Sequence, residues 1–159
     1  MKFSIRLAVT AALVLSSCSG SPSRENQKTL TVIATTDFHG EFEGQSGATA
    51  DGTVLTIGGA GTYATYLQIL RRHISGPFLW VDSGDLFQGS MISNLYEGAP
   101  VVRLMNYLGL QAAALGNHEF DFGPVGPKAV AREPGDDPRG ALKARIHEAH
   151  FPTLAANVK

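Results

Sequence analysis

The sequence has little cysteine, little charge and no basic excess, and each shortage excludes a class of protein. Cys18 is the only cysteine among 159 residues, so no internal disulfide can form. Thirteen basic and 14 acidic residues give a net charge of −1, which argues against a nucleic-acid polymer as partner. Internal repeats and low-complexity segments are also missing from the sequence. The 43% hydrophobic content that remains indicates a folded domain rather than a disordered chain.

The first residues have the composition of a targeting segment. Lys2 and Arg6 form a positive region, and the apolar run 7–15 is too short to span a bilayer as a stable helix. The Leu-Ser-Ser-Cys sequence at 15–18 resembles a bacterial lipoprotein signal, in which cleavage leaves Cys18 as the lipidated first residue. The alternative is an ordinary secretory signal with an incidental cysteine.

The lipoprotein interpretation divides the chain into three parts. We expect a signal peptide over residues 1–17, a polar, flexible tether over 18–28 and one domain over 29–159. A lipid on Cys18 would anchor the domain to a membrane of the cell envelope, on the extracytoplasmic side.

Strand and helix signals alternate along the domain and predict an α/β fold. Apolar and β-branched runs predict strands at 29–36, 78–81, 112–115 and 153–156, with a short strand possible at 53–57. Apolar periodicity predicts helices at 62–74, 100–108 and 141–150. The remaining segments are predicted to be a loop or short helix at 85–97, and a loop at 122–140 with one helical turn at 128–132. Alternation of this kind implies a mostly parallel sheet with right-handed helical crossovers.

Polar side chains follow three of these strands at the point where each strand ends. Asp37 and His39 follow the first strand, Asp85 follows the second, and the run Gly-Asn-His-Glu-Phe-Asp at 116–121 follows the third. Since open α/β sheets gather their sites at the carboxyl ends of their strands, we expect these residues to share one site.

The first two groups suit divalent metal ions. In extended backbone Asp37 and His39 point to the same face, where an oxygen and a nitrogen can hold one ion; the alternative is a turn cap and a solvated histidine. The Asp85 carboxylate can bridge two ions, or else cap a following helix. We expect Asp82 to be structural and Gln88 to be a solvated loop amide.

The third group combines a metal ligand with proton transfer. Asn117 can bind a metal ion through its amide oxygen. His118 can donate a proton to a leaving group or stabilise a transferring phosphoryl group, while Asp121 holds its tautomer and orientation. The alternative is a third metal ligand or a packed loop histidine. Glu119 is expected to support the loop through hydrogen bonds.

In this order the motifs resemble the calcineurin-like metallophosphoesterases, and within them the bacterial and animal 5′-nucleotidases. The resemblance is carried by Asp-Phe-His-Gly at 37–40, Gly-Asp-Leu-Phe-Gln-Gly at 84–89 and the run at 116–121. Gly-Gly-Ala-Gly at 58–61 and Leu-Ala-Ala-Asn-Val at 154–158 extend it over about residues 30–159.

The resemblance implies the N-terminal part of a layered α/β/β/α sandwich and a hydrolase with two divalent ions. In that family the first motif binds one ion, the aspartate of the second bridges both, and the asparagine of the third binds the other. In that family a hydroxide held between the two ions attacks the phosphorus atom in line with the leaving group. Carried over to this sequence, the metal ligands are Asp37, His39, Asp85 and Asn117, and the catalytic pair is His118 and Asp121. The donor types suit Mn, Zn or Fe alike.

The sequence departs from the family after the third motif. The family completes its metal shells with histidines from later motifs, and this sequence has none of those motifs; we expect His73, His147 and His150 to be solvated. We therefore expect an incomplete domain, the first part of a longer enzyme, with little activity by itself. The alternatives are hydrolysis of a cyclic nucleotide, UDP-sugar or sulfur ester on the same scaffold, or a non-catalytic lipoprotein.

Overall fold

The computed structural model describes residues 28–156, which form a four-stranded parallel sheet, a two-stranded hairpin and four α-helices. Our predictions for the signal peptide, for Cys18 and for nearly all of the tether lie outside the described residues. Within residues 28–156 no helix is both long enough and apolar enough to cross a membrane.

The strands of the main sheet are separated along the chain by helices. The strands are β1 Thr31–Thr35, β2 Gln45–Ala48, β3 Val54–Ile57, β4 Phe78–Asp82, β5 Ala112–Ala114 and β6 Thr153–Leu154. The helices are α1 Gly59–His73, α2 Met91–Leu95, α3 Ala99–Leu108 and α4 Gly140–Glu148, with a 3₁₀ helix at His118–Phe120. In the main sheet the order is β1-β4-β5-β6, and every neighbouring pair is parallel. The predicted parallel sheet with helical connections is therefore confirmed.

Two local predictions needed correction. The structure has no helical turn at 128–132, because the side chain of Asp136 accepts hydrogen bonds from the backbone N–H groups of Arg132 and Glu133. Those N–H groups are then engaged by a side chain instead of a helix. The sequence also contains no indication of strand β2, because its residues do not alternate between apolar and polar side chains. This strand forms by antiparallel pairing with β3.

One face of the main sheet carries the core. Alternate strand residues such as Ile33, Trp80 and Ala113 point to this face and join a cluster with apolar side chains of α3. Trp80 and Met105 are fully buried, and each such side chain contributes about 1.5–3 kcal/mol by leaving water. Helix α3 has Pro100 in its first turn and is capped after Leu108 by Gly109, which has the left-handed conformation typical of helix ends.

The opposite face of the sheet is largely uncovered among the described residues. Val32 and Leu154 point to it with exposed fractions of 55% and 56%. Since the helices pack on one face only, the loops at the carboxyl ends of β1, β4 and β5 are held by the core from one side.

Candidate active site

The loops after β1 and β4 lie side by side at the carboxyl edge of the sheet. The backbone N–H of Asp37 donates to the Gly84 carbonyl at 3.1 Å, and that of His39 donates to the Asp85 carbonyl at 3.1 Å. These hydrogen bonds continue the pairing of β1 with β4 beyond the strands. They bring the first two sequence motifs into direct contact.

The backbone of these loops is left-handed at the predicted ligands. Asp37, His39 and Asp85 have φ values of 55°, 49° and 57°. The prediction that extended backbone places Asp37 and His39 on one face is therefore wrong. Their side chains meet through the turn instead, with Asp37 Oδ1 3.6 Å from His39 Nε2. Non-glycine residues rarely adopt such φ values, and they persist here because the paired loops fix them.

Two glycines allow the second and third motifs to touch. A Cβ added to Gly84, which has φ 101°, would lie 2.4 Å from the Gly116 nitrogen. A Cβ added to Gly116 would lie 2.2 Å from Asp85 Oδ1. The loop after β4 therefore packs against the loop after β5, backbone to backbone.

Three potential ligands converge where the loops meet. His39, Asp85 and His118 each offer a ligand atom within 4.8 Å of the others. The centroids of the two imidazole rings lie 5.0 Å apart, with the rings edge to face. All three residues are half-buried. Two imidazole nitrogens and a carboxylate oxygen are a donor set suited to Mn, Zn or Fe, so these residues fit a divalent metal ion.

The backbone carbonyl of Gln88 orients His39. It lies 3.3 Å from His39 Nδ1, so in the tautomer that donates from Nδ1 the other nitrogen, Nε2, is left as a base facing Asp37. Such outer contacts commonly fix the tautomer of a metal-binding histidine. The loop is held in turn by Ser93, a fully buried residue whose Oγ accepts from the Gln88 N–H at 3.2 Å.

Sequence reasoning missed both contributions. Gln88 acts through its backbone, and a backbone carbonyl leaves no mark in the residue type. Ser93 lies in α2, which Ser90 caps by accepting from the Ser93 N–H at 3.3 Å. The Ser-x-x-Ser spacing could have revealed the helix start, but not the contact with the loop. Asp85 is not the cap of this helix.

His118 is held from two sides. Its Nδ1 lies 2.6 Å from Asp121 Oδ2, because three residues along a 3₁₀ helix return to the same side. Its backbone N–H donates to Asp85 Oδ1 at 3.0 Å. The hydrogen bond with Asp121 raises the pKa of His118 above its ordinary value. Asn117 precedes it, exposed, at the start of the 3₁₀ helix.

The loops are also tied together by Glu119, which is only 2% exposed. Its carboxylate accepts hydrogen bonds from the backbone N–H groups of Asp85, Leu86, Phe87 and Gly116, at 2.9, 2.7, 3.3 and 2.7 Å. The prediction that Glu119 supports the loop is confirmed.

Asp82 supports the site from below, as predicted for a structural residue. One carboxylate oxygen accepts from the Gly84 N–H at 2.8 Å, and the other accepts from the Thr35 hydroxyl at 2.6 Å. Burial raises the pKa of Asp82 despite these hydrogen bonds. The remaining histidines, His73, His147 and His150, are exposed, also as predicted.

A groove opens beside Asp37. Its volume is about 670 Å³, and it runs between the β3 strand and helix α1. Apolar and aromatic side chains line most of it, among them Leu55, Ile57, Tyr63 and Tyr66. An apolar groove next to a cluster of metal-binding groups can hold the organic part of a charged ligand.

Residues 30–154 match the calcineurin-like phosphoesterase family, and the chain belongs to that family. Among the proteins it resembles, the sequence is 33% identical over 132 residues to the 5′-nucleotidase of Bos taurus, covering 82% of this chain and 20% of the bovine protein. The chain thus spans about a fifth of the length of the curated relatives it matches.

Solved structures give the same picture. The 5′-nucleotidase precursor of Thermus thermophilus superposes with a TM-score of 0.65 at 31% identity, over 82% of this chain and 22% of that protein. The NAD nucleotidase of Haemophilus influenzae superposes with a TM-score of 0.63 at 25% identity, over 80% of this chain and 20% of that protein. The described residues therefore have the fold of the N-terminal part of a metallophosphoesterase, as the sequence predicted.

Proposed function

We propose that the chain provides metal-binding and proton-transfer groups for a phosphoric ester hydrolase that releases phosphate from a nucleotide. The observation that carries the proposal is the convergence of His39, Asp85 and His118 within 4.8 Å, next to the 2.6 Å contact of His118 with Asp121. His39 and Asp85 offer metal-binding groups, and His118, oriented by Asp121, offers the proton, so the cluster combines the two requirements of phosphoester hydrolysis, charge neutralisation and proton delivery.

The metal-binding groups would be those at the ends of β1 and β4, with one more after β5. Asp37 and His39 would bind one ion, Asp85 would bridge to a second, and Asn117 would bind that second ion. Two divalent ions held there, of Mn, Zn or Fe, would neutralise charge on the phosphoryl group and activate water. Asp85 suits the bridging position because its loop contacts both neighbouring loops.

His118 would act on the leaving group. Asp121 accepts a hydrogen bond from Nδ1–H, so Nε2 is the nitrogen that can deliver a proton to the departing ester oxygen. The carboxylate also stabilises the charged imidazolium form, which is consistent with the raised pKa of His118. The proton leaves with the alcohol, and phosphate is the second product.

A nucleotide is the substrate class that the relatives favour. The similar bovine and Thermus proteins are 5′-nucleotidases, and the Haemophilus protein is an NAD nucleotidase. The groove beside Asp37 has aromatic walls at Tyr63 and Tyr66, against which a flat organic group can pack.

We further propose that Cys18 carries a lipid and that the protein lies on the extracytoplasmic side of a cell-envelope membrane. The support is the positive region, the apolar run 7–15 and the Leu-Ser-Ser-Cys sequence at 15–18. Nucleotide substrates would then be met outside the cytoplasm.

The test uses protein isolated from its source cells, at the length made there. We expect it to release phosphate from AMP with Mn²⁺, to stop with EDTA and to recover when Mn²⁺ is restored. Asp85→Ala should reduce the rate about 100-fold or more, since a metal ion contributes several kcal/mol to such a reaction. Asp51→Ala removes a carboxylate from the exposed β2–β3 turn and is the matched control; it should keep the full rate. Full activity in Asp85→Ala would refute the proposal.

A further inference from the structure

We propose that Glu119 is a positioning residue that sets the separation of Asp85 and His118 and so creates the metal site. The inference depends on the proposed function, because it assumes that Asp85 helps to bind a divalent ion next to His118. Glu119 acts through the backbone of two loops and need not contact the ion.

The contacts of Glu119 divide between the two loops. Oε2 accepts from both the Asp85 N–H at 2.9 Å and the Gly116 N–H at 2.7 Å, so one atom joins the loop after β4 to the loop after β5. Oε1 accepts from the next two N–H groups of the first loop, at 2.7 and 3.3 Å. A single side chain therefore satisfies four backbone donors that no helix or sheet engages.

A second connection closes the arrangement. The His118 N–H donates to Asp85 Oδ1 at 3.0 Å, so the side chain of Asp85 is held by the loop that Glu119 anchors. Glu119 and His118 are neighbours in the same 3₁₀ helix, one pointing inward and the other to the site. A shift of Glu119 would consequently move the Asp85 backbone and the His118 backbone relative to each other.

Only a carboxylate can fill this position. Its two oxygens provide about four acceptor sites, which matches the four donors. Glutamine has nearly the same shape but only one oxygen, and its NH₂ group would face backbone N–H groups. A donor facing a buried donor leaves both without a partner, so Glu119→Gln should push one loop away from the other.

The structure offers a matched control for this change. The side chain of Glu97 is 16% exposed, and its Oε1 also accepts from a backbone N–H, that of Gly126, at 2.6 Å. Its other contact is to Arg145 at 3.8 Å, and none of these residues belongs to the ligand cluster. Glu97→Gln therefore repeats the chemical change without removing a contact to Asp85, Gly116 or His118.

The experiment measures Mn²⁺ affinity on the full chain after EDTA treatment, by the electron paramagnetic resonance signal of free Mn²⁺. We expect Glu119→Gln to bind about 10- to 100-fold more weakly than wild type, the loss typical of removing an outer contact of a metal site. Glu97→Gln should bind as wild type does. Circular dichroism and Trp80 fluorescence establish that each variant is folded at the temperature of the binding measurement. A purely structural role would lower the unfolding midpoint without changing the affinity of folded protein.

Each outcome decides a different point. If wild type binds Mn²⁺ and folded Glu119→Gln binds within twofold of it, the positioning role is wrong while the proposed function stands. If wild type binds no Mn²⁺, the proposed function fails and this inference fails with it. Glu119→Asp keeps both oxygens but is too short to reach both loops, so it should also bind weakly. If both variants are unfolded at 10 °C where Glu97→Gln is folded, Glu119 serves stability only and the proposal is overturned.

Discussion

The contact between Gly84 and Gly116 makes a quantitative prediction about stability. Gly84→Ala adds one methyl group at a position with φ 101°, and that methyl carbon would lie 2.4 Å from the Gly116 nitrogen. The obstacle is backbone, so no change of side-chain rotamer can remove it. One of the two loops has to move.

The expected loss combines two effects. A left-handed backbone conformation costs about 1–2 kcal/mol for a residue with a Cβ. Inserting a methyl group into a closely packed contact costs typically about 1–3 kcal/mol more. Gly84→Ala should therefore lower the free energy of unfolding by about 2–5 kcal/mol, a large part of the roughly 5–15 kcal/mol that stabilises a typical domain.

Two other glycines separate these effects. Gly52 has φ 85° but no atom near its virtual Cβ, so Gly52→Ala should lose only the conformational part, about 1–2 kcal/mol. Gly61 lies in α1 with neither obstacle, and Gly61→Ala should gain up to about 1 kcal/mol from helix propensity. The predicted order of stability is Gly61→Ala, wild type, Gly52→Ala and Gly84→Ala.

The assay is equilibrium unfolding in urea, followed by fluorescence. Trp80 is the only tryptophan and is fully buried in β4, so its emission reports on the strand that leads into Gly84. With a slope of about 2 kcal/mol per molar urea, Gly84→Ala should shift the midpoint down by about 1–2.5 M. If Gly84→Ala loses no more stability than Gly52→Ala, the two loops are not in rigid contact and the reasoning is wrong.

Two further predictions concern His118 and Cys18. Asp121→Asn should lower the pKa of His118, because the hydrogen bond to Asp121 is the main reason that this pKa is raised. The pKa is measured by NMR titration of His118 in EDTA. A titration midpoint equal to that of wild type would contradict the contact. The raised pKa means that the folded state binds this proton more tightly than the unfolded state does. The contact therefore stabilises the folded state fully below about pH 6.5, and this stabilisation is lost as the pH rises through the raised pKa. Cys18→Ser should abolish incorporation of labelled palmitate in the source cells, and persistent labelling would exclude a lipid on Cys18.

The residues of the candidate site were predictable because each motif is a short, continuous stretch of sequence. Each motif directly follows a strand, and the alternation of strands with helices predicts a parallel sheet whose carboxyl ends share one edge. The acidic, imidazole and amide groups at 37–39, 85 and 117–121 are the groups from which the proposed chemistry was predicted without any coordinates. The support from Glu119 was also predictable, since a carboxylate within a loop of ligands commonly accepts backbone hydrogen bonds.

The conformation of the site was not predictable from local patterns. Asp37 and His39 meet through left-handed backbone, which is fixed by hydrogen bonds to Gly84 and Asp85, 47 and 46 residues further along the chain. The Gln88 carbonyl that orients His39 lies 49 residues further along the chain. Strand β2 and the loop around Asp136 are likewise set by partners that residue type does not reveal.

The sequence by itself thus determined the alternation of the main-sheet strands with helices, the groups available for chemistry and the edge of the sheet where they collect. Only the tertiary structure decided which atoms of those groups face one another. The physical reason is that the strands bring the loops together but do not fix their backbone. That is done by hydrogen bonds between distant segments, above all the four that converge on the Glu119 carboxylate.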